Sequence, residues 1–173
     1  MKEKTKYKLE KRRQNLPLHY IDACVVMESL MLSGDEHVSC ERYLNKVGYR
    51  YKKVISISAL GEFFVTTVKK IEKRIDRETT FIFLSNAFTF VRELMNRGKI
   101  TLLSPQFKTY PVVEKIKMIE SRVEPMDALN HATAIADGAN VFVTIDNDLV
   151  ENKKLESAFR IKIKHSGELY ILS

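Results

Sequence analysis

Residues 127–149 read DALNHATAIADGANVFVTIDNDL. The alanine-rich half predicts a helix from Met126 to about Asp137, with Pro125 just before its start and Gly138 as its stop. NVFVTI, residues 140–145, is β-branched and aromatic and predicts a buried strand, after which the chain meets Asp146. Helix, glycine stop and buried strand in that order fit the alternation of an α/β sheet.

The same alternation runs outward along the chain. ITLLS at 100–104 predicts a strand, preceded by a helix from Thr79 to Arg97 that stops at Gly98 and followed by a helix over 108–121. KKVISIS predicts a strand from about Lys53 to Ile57, with Ser58 capping a helix from Ala59 whose Phe63, Phe64, Thr67, Val68 and Ile71 recur at helical spacing. Earlier still, His19-Tyr20-Ile21 predicts a short strand ending at Asp22. Helical material broken at Ser33-Gly34-Asp35 then carries the chain to Gly48. Beyond the opening stretch, Leu149 to Ala158 predicts a helix, and RIKIKHSGELYILS a strand with a hairpin about Ser166-Gly167. The expected fold is a three-layer α/β/α sandwich around a mostly parallel sheet of four or five strands. Ligands in such folds bind beyond the carboxyl ends of the strands.

The chain has 173 residues, 45% hydrophobic and 29% charged, enough for one domain with a sizeable core. Its longest stretch free of charge and histidine, Thr79 to Val91, is 13 residues, short of the roughly 20 that cross a bilayer. No apolar segment follows the basic start, so no secretory signal is expected. Two cysteines make no disulfide framework, and a cytoplasmic location is expected. The formal charge of +7 is uneven: the first 13 residues hold seven bases and two acids, leaving +2 for the rest. Residues 1–17 therefore read as a basic arm and 18–173 as the folded domain. Lys11, Arg12 and Arg13 suit either a phosphate backbone or solvent.

Four acids fall where two strands end and two helices begin. Asp22 and Asp146 follow apolar strands; Glu62 and Asp127 stand near helix starts, where backbone N–H groups favour an acid whether or not it has another task. Asp22 is harder to explain as a cap, because Ile21, Ala23, Val25 and Val26 around it read as core. A buried carboxylate needs a compensating partner. Clustered carboxylates without thiols or several histidines suit Mg²⁺ or Mn²⁺ rather than zinc. Such ions clamp a phosphodiester and offset the charge of in-line displacement.

The segments YIDACVV (20–26), SALGEFF (58–64) and DALNHATAIADGANVFVTIDNDL resemble, in order, the PIN domain family over residues 18–165. These are small metal-dependent ribonucleases that include toxins of prokaryotic toxin–antitoxin pairs. The resemblance implies that Asp22, Glu62, Asp127 and Asp146 are metal-binding and catalytic, with Mg²⁺ or Mn²⁺ as cofactor and RNA as substrate. Thr144 matches the family's hydroxyl residue, expected to orient rather than ligate. Where the family often has Asn or Ser, this chain has Cys24, which weakens the hydrogen bonding expected there. A homodimer and a small antitoxin are the implied partners, and no membrane is expected. The competing class is a non-catalytic relative that binds nucleic acid or protein.

Other residues carry two readings each. Asp148 is expected mainly as the cap of the Leu149 helix, with metal proximity as its alternative. His131 lies on the Asp127 face of its helix and is expected to be a satisfied, partly buried histidine; the alternative is contact with substrate phosphate or a carboxylate. Lys69, Lys70, Lys73 and Arg74 suit a helix C-terminus as well as a nucleic acid. The Phe81–Phe90 helix is expected to bury Phe83, Phe88 and Val91 or to leave a side for a dimer. No phosphate-cradling glycine loop, GxSxG, CxxC or zinc-finger spacing is present, so nucleotide-fuelled or serine-based chemistry is not expected.

Overall fold

Four parallel pairings join five short strands into one sheet in the order β3-β2-β1-β4-β5. They are β1 (Leu18–Ile21), β2 (Lys52–Ser56), β3 (Thr101–Leu103), β4 (Val141–Thr144) and β5 (Lys162–His165). The computed structural model describes residues 16–31, 34–45, 50–71, 76–150 and 152–171, without the side chains of Lys70, Ile71, Tyr170 and Ile171. The arm residues Lys11, Arg12 and Arg13, together with Gly48, Lys73, Arg74 and the Lys70 side chain, lie outside that description.

The two-residue period of a strand sends alternate side chains into two cores. Ile21, Ile55 and Val143 enter one with helices α1 (Ala23–Glu28), α2 (His37–Asn45), α3 (Ile57–Ile71) and α4 (Arg77–Asn96). Tyr20, Val54, Phe142 and Ile163 enter the other with α5 (Tyr110–Ile119), α6 (Pro125–Ala136), α7 (Asn147–Val150) and α8 (Lys153–Phe159). This is the expected α/β/α sandwich, with every strand pairing parallel. Tyr20, Phe142 and Phe63 are essentially solvent-free, each contributing about 2–3 kcal/mol by area alone.

The glycine stops hold for a definite reason. Gly98 and Gly138 have φ of 63° and 73°, the left-handed conformation that ends α4 and α6 with least steric cost. No described helix is long and apolar enough to cross a membrane.

Several local expectations are corrected. Helix α3 begins at Ile57, directly after β2, and its first-turn acceptor is Ser56: the Ala59 N–H donates to Ser56 Oγ at 3.0 Å. Ser58 is thus inside the helix, and Glu62 sits in its second turn. Helix α4 starts at Arg77 because Asp76 caps it, accepting from Thr79 N at 2.9 Å. Its core face is Thr80, Ala87, Val91 and Leu94; Phe88 is 62% exposed, stacked on Phe64 at 5.1 Å. The expected Leu149 helix is two short ones, with Asn152 capping the second through Leu155 N. The hairpin at Ser166-Gly167 is absent. There β5 pairs in parallel with β4, and the chain enters helix α9 (Ser166–Ile171). Ser166 Oγ is buried against Cys40 Sγ at 3.4 Å, while Glu168 in the first turn pairs with Lys164 at 2.6 Å. Both contacts fix a helix where Ser-Gly alone reads as a turn.

Candidate active site

The strand order reverses direction between β1 and β4, and the carboxyl ends of that pair hold the acids. Asp22 follows β1 directly and is 5% exposed. Its Oδ1 accepts from Ala23 N at 2.8 Å, so it starts α1 as well as ending the strand. Its Oδ2 accepts from Thr144 Oγ1 at 2.9 Å and from Cys24 Sγ at 3.1 Å. Thr144 Oγ1 in turn accepts from Asp146 N at 3.1 Å. One hydroxyl therefore ties the first acid to the backbone that carries the last. Cys24 does meet the carboxylate, through a thiol that is a weaker donor than a hydroxyl or amide.

Asp146 Oδ1 accepts from Asp148 N at 2.9 Å. Asp146 is thus the acceptor at the head of α7, and Asp148 lies in that helix's first turn instead of capping it. Asp127 occupies the first turn of α6, after Glu124 and Pro125.

Glu62 is held by a residue the sequence did not single out. Asn130 is wholly buried; its Nδ2 donates to Glu62 Oε2 at 2.7 Å. Its Oδ1 accepts from Ser58 Oγ at 2.9 Å and from the Ser56 and Tyr20 hydroxyls at 3.3 Å each. The available signal was a buried-face amide inside an alanine-rich helix, three residues after Asp127. Such a group must find partners or forfeit a few kcal/mol.

The acids sense one another. Burial, then the charges of Asp22, Glu62, Asp146 and Glu124, push Asp127 up to about 7. Burial raises Asp22, against hydrogen bonds from Cys24, Thr144 and Ala23, with Asp146 adding repulsion. Glu62 is raised by burial and then by Asp22, with Asn130 opposing. Glu124 contributes to two of these shifts and was also missed; it caps nothing with its side chain. A groove of about 830 Å³ opens beside Asp127, Asp146 and Asp148, with Arg122, Lys153 and Lys154 also lining it.

Carboxylates that repel one another in a partly buried site match the donor chemistry of a hard divalent cation. Among the described residues, however, no group of three or more His, Cys, Asp or Glu side chains is already gathered around a single point. Asp22, Glu62, Asp127 and Asp146 are electrostatically coupled, and a shared ion would require their side chains to draw together. Lys69 is exposed on α3, seven residues beyond Glu62, or about 10 Å along the helix.

His131 is neither near-satisfied nor turned to the acids by any hydrogen bond. It is fully buried, stacked on Phe142 at 4.4 Å, and both ring nitrogens lack a partner among the described residues. Burial lowers it from 6.5 to about 4. The unfolded chain thus binds more protons between these values. Its contribution to stability is full above pH 6.5 and lost as pH falls toward 4. His131→Leu should flatten this acid-side loss by about 2–3 kcal/mol relative to wild type. Urea titrations at several pH values check it; parallel curves for the two proteins would contradict it.

No protein-family profile and no curated protein sequence matches the chain. Solved structures do. VapBC2 from Rickettsia felis, bound to a DNA fragment from its promoter, is 13% identical, with a TM-score of 0.57 over 86% of this chain and 98% of that one. FitAcB from Neisseria gonorrhoeae is 12% identical, with a TM-score of 0.62 over 86% and 97%. VapC20 from Mycobacterium tuberculosis, a toxin that cleaves the sarcin–ricin loop, is 12% identical, with a TM-score of 0.55 over 81% and 94%. These VapC and FitB neighbours share the architecture and nearly the whole length of the folded region, and the chain has the PIN-domain fold.

Proposed function

We propose that this protein is a Mg²⁺- or Mn²⁺-dependent endoribonuclease whose site is built from Asp22, Glu62, Asp127 and Asp146. The observation that carries the reading is the coupling of these acids at the β1/β4 switch point, where each of Asp22, Glu62 and Asp127 is held above its ordinary range. Folding alone does not favour placing acids that repel one another in a partly buried region. RNA as substrate, and an antitoxin as partner, are carried over from neighbours that are a loop-cleaving toxin and toxin–antitoxin complexes. A homodimer and a cytoplasmic location complete the proposal.

A bound divalent cation would let the carboxylates ionise together and would supply the Lewis acidity for phosphodiester hydrolysis. The chain's own residues prepare that state. Thr144 and the Ala23 N–H fix both oxygens of Asp22, and Asn130 fixes Glu62. Without a cation, burial and the neighbouring acids push the Asp127 carboxyl up to about 7, and a bound cation would favour release of its proton. The groove of about 830 Å³ beside Asp127 and Asp146 is where the phosphate backbone would lie.

The absence of a ready-gathered ligand group among the described residues favours the second reading, a non-catalytic domain that binds nucleic acid or protein. Incubating the purified chain with structured and single-stranded RNA in Mg²⁺, Mn²⁺ or EDTA separates the two. Cleavage dependent on the metal is expected; RNA binding without cleavage across the panel would establish the second reading.

A further inference from the structure

Three hydroxyls converge on the Asn130 amide, at the opposite end of that group from Glu62. Tyr20 of β1, Ser56 at the end of β2 and Asn130 of α6 are all fully buried, and Ser58 on α3 is half-buried. The Tyr20 hydroxyl donates to Ser56 Oγ at 2.5 Å, and Ser56 Oγ lies 2.7 Å from Ser58 Oγ. Ser58 Oγ donates to Asn130 Oδ1 at 2.9 Å, and the Ser56 and Tyr20 hydroxyls reach the same oxygen at 3.3 Å.

The backbone sets the polarity of this line. The Ala59 N–H can only donate, and it meets Ser56 Oγ at 3.0 Å. With the Tyr20 proton accepted as well, both lone pairs of Ser56 are occupied, so its own proton passes onward to Ser58 or Asn130. Ser58 gives its single proton to Asn130 Oδ1. The amide is thereby held with Nδ2 toward Glu62 Oε2, at 2.7 Å. That length is typical of a bond to a charged acceptor. Turned the other way, the amide would press its oxygen against an ionised carboxylate, acceptor against acceptor. Glu62 Oε2 is thus engaged, whereas its Oε1 accepts no hydrogen bond among the described residues. Cohesion alone does not call for such a line, because a matched apolar set can replace buried hydrogen-bond partners at little cost in stability.

We infer that Tyr20, Ser56 and Ser58 are positioning residues for the cation site, acting through Asn130 to engage Glu62 Oε2 and so reserve Oε1 for a divalent cation. The inference rests on the proposed cation site and adds the residues that orient one of its ligands. Three separate elements, β1, β2 and α3, converge on one rotamer of one amide.

The test is calorimetric titration of Mn²⁺ into the full metal-free chain, without RNA, so that no turnover is read. Asn130→Ala should weaken binding about tenfold or more, the usual effect of removing a group that orients a metal ligand. Tyr20→Phe keeps the ring that stacks on Phe142, and Ser58→Ala removes only a half-buried hydroxyl. Each acts one bond further from the ligand and should weaken binding about threefold. Ser58→Thr retains the hydroxyl and should bind as wild type does. In the Asn130→Ala background, Tyr20→Phe and Ser58→Ala should have no further effect, since their path to Glu62 runs through the amide. Urea titrations of the same proteins report packing separately. Lower stability with wild-type Mn²⁺ affinity in Asn130→Ala and Ser58→Ala would overturn the inference alone, as would additive losses of affinity in the double variants. If Asn130→Ala fails to fold, Ser58→Ala beside Ser58→Thr decides, and equal affinities in those two would overturn the inference. Wild-type protein without saturable Mn²⁺ binding would overturn it together with the nuclease reading.

Discussion

Asp22→Asn and Asp146→Asn should each lower metal-dependent RNA cleavage by about a thousandfold, some 4 kcal/mol of barrier, while leaving the protein folded. Both substitutions are isosteric. The asparagine at position 22 retains an oxygen for Ala23 N, the contact that starts α1. What it loses is the charge that a cation would meet. At position 146 the loss is similar, since the side-chain oxygen facing Asp148 N survives in the amide. Rates in Mn²⁺, with circular dichroism to confirm the fold, are the measurement. Cleavage that persists in both variants would place the chemistry elsewhere.

Asp127→Asn should also abolish cleavage, yet make the metal-free protein more stable. The sign follows from its carboxyl, which sits near 7 in the folded chain and at 3.8 when unfolded. The folded state therefore holds the extra proton between those values, and stability is lost as pH rises through them. Removing the ionisable group removes the loss. The full shift would correspond to about 4 kcal/mol, but the side chain borders an open groove, and screening reduces the expected gain to about 1–2 kcal/mol near pH 7.5. That is about 3–6 °C in Tm. Glu62→Gln should move the same way, since burial and Asp22 raise it too. Thermal melts in EDTA decide the matter; a variant less stable than wild type would mean that Asp127 is a structural cap and not a strained functional acid.

The layer order was legible because it rests on periodicity that tertiary contacts reinforce. Apolar runs at Tyr20, Val54 and Phe142 had to be strands, and Gly98 and Gly138 could close helices only as left-handed residues. The positions of Asp22 and Asp146 followed from the strand ends. What failed was decided by contacts distant in sequence. Ser166-Gly167 forms a helix because Ser166 meets Cys40, 126 residues away. Asn130 was missed because its partners, Glu62 and Ser58 on α3 and Tyr20 on β1, come from two distant places in the chain. His131 read as a satisfied histidine, since nothing in a sequence reveals that Phe142 supplies a ring and no partner supplies a hydrogen bond. Asp148 lost the capping role to Asp146, two residues earlier, whose Oδ1 accepts from the N–H of Asp148 itself.

The account stands on the claim that the acids at the β1/β4 end hold a divalent cation. Calorimetric titration of Mn²⁺ into the metal-free protein tests it most directly, with Asp22→Asn and Asp127→Asn alongside. Wild type should bind with a saturable heat at micromolar to millimolar Mn²⁺, and each variant should bind at least about tenfold more weakly. The absence of saturable binding at millimolar Mn²⁺, or equal binding by all three proteins, would contradict it.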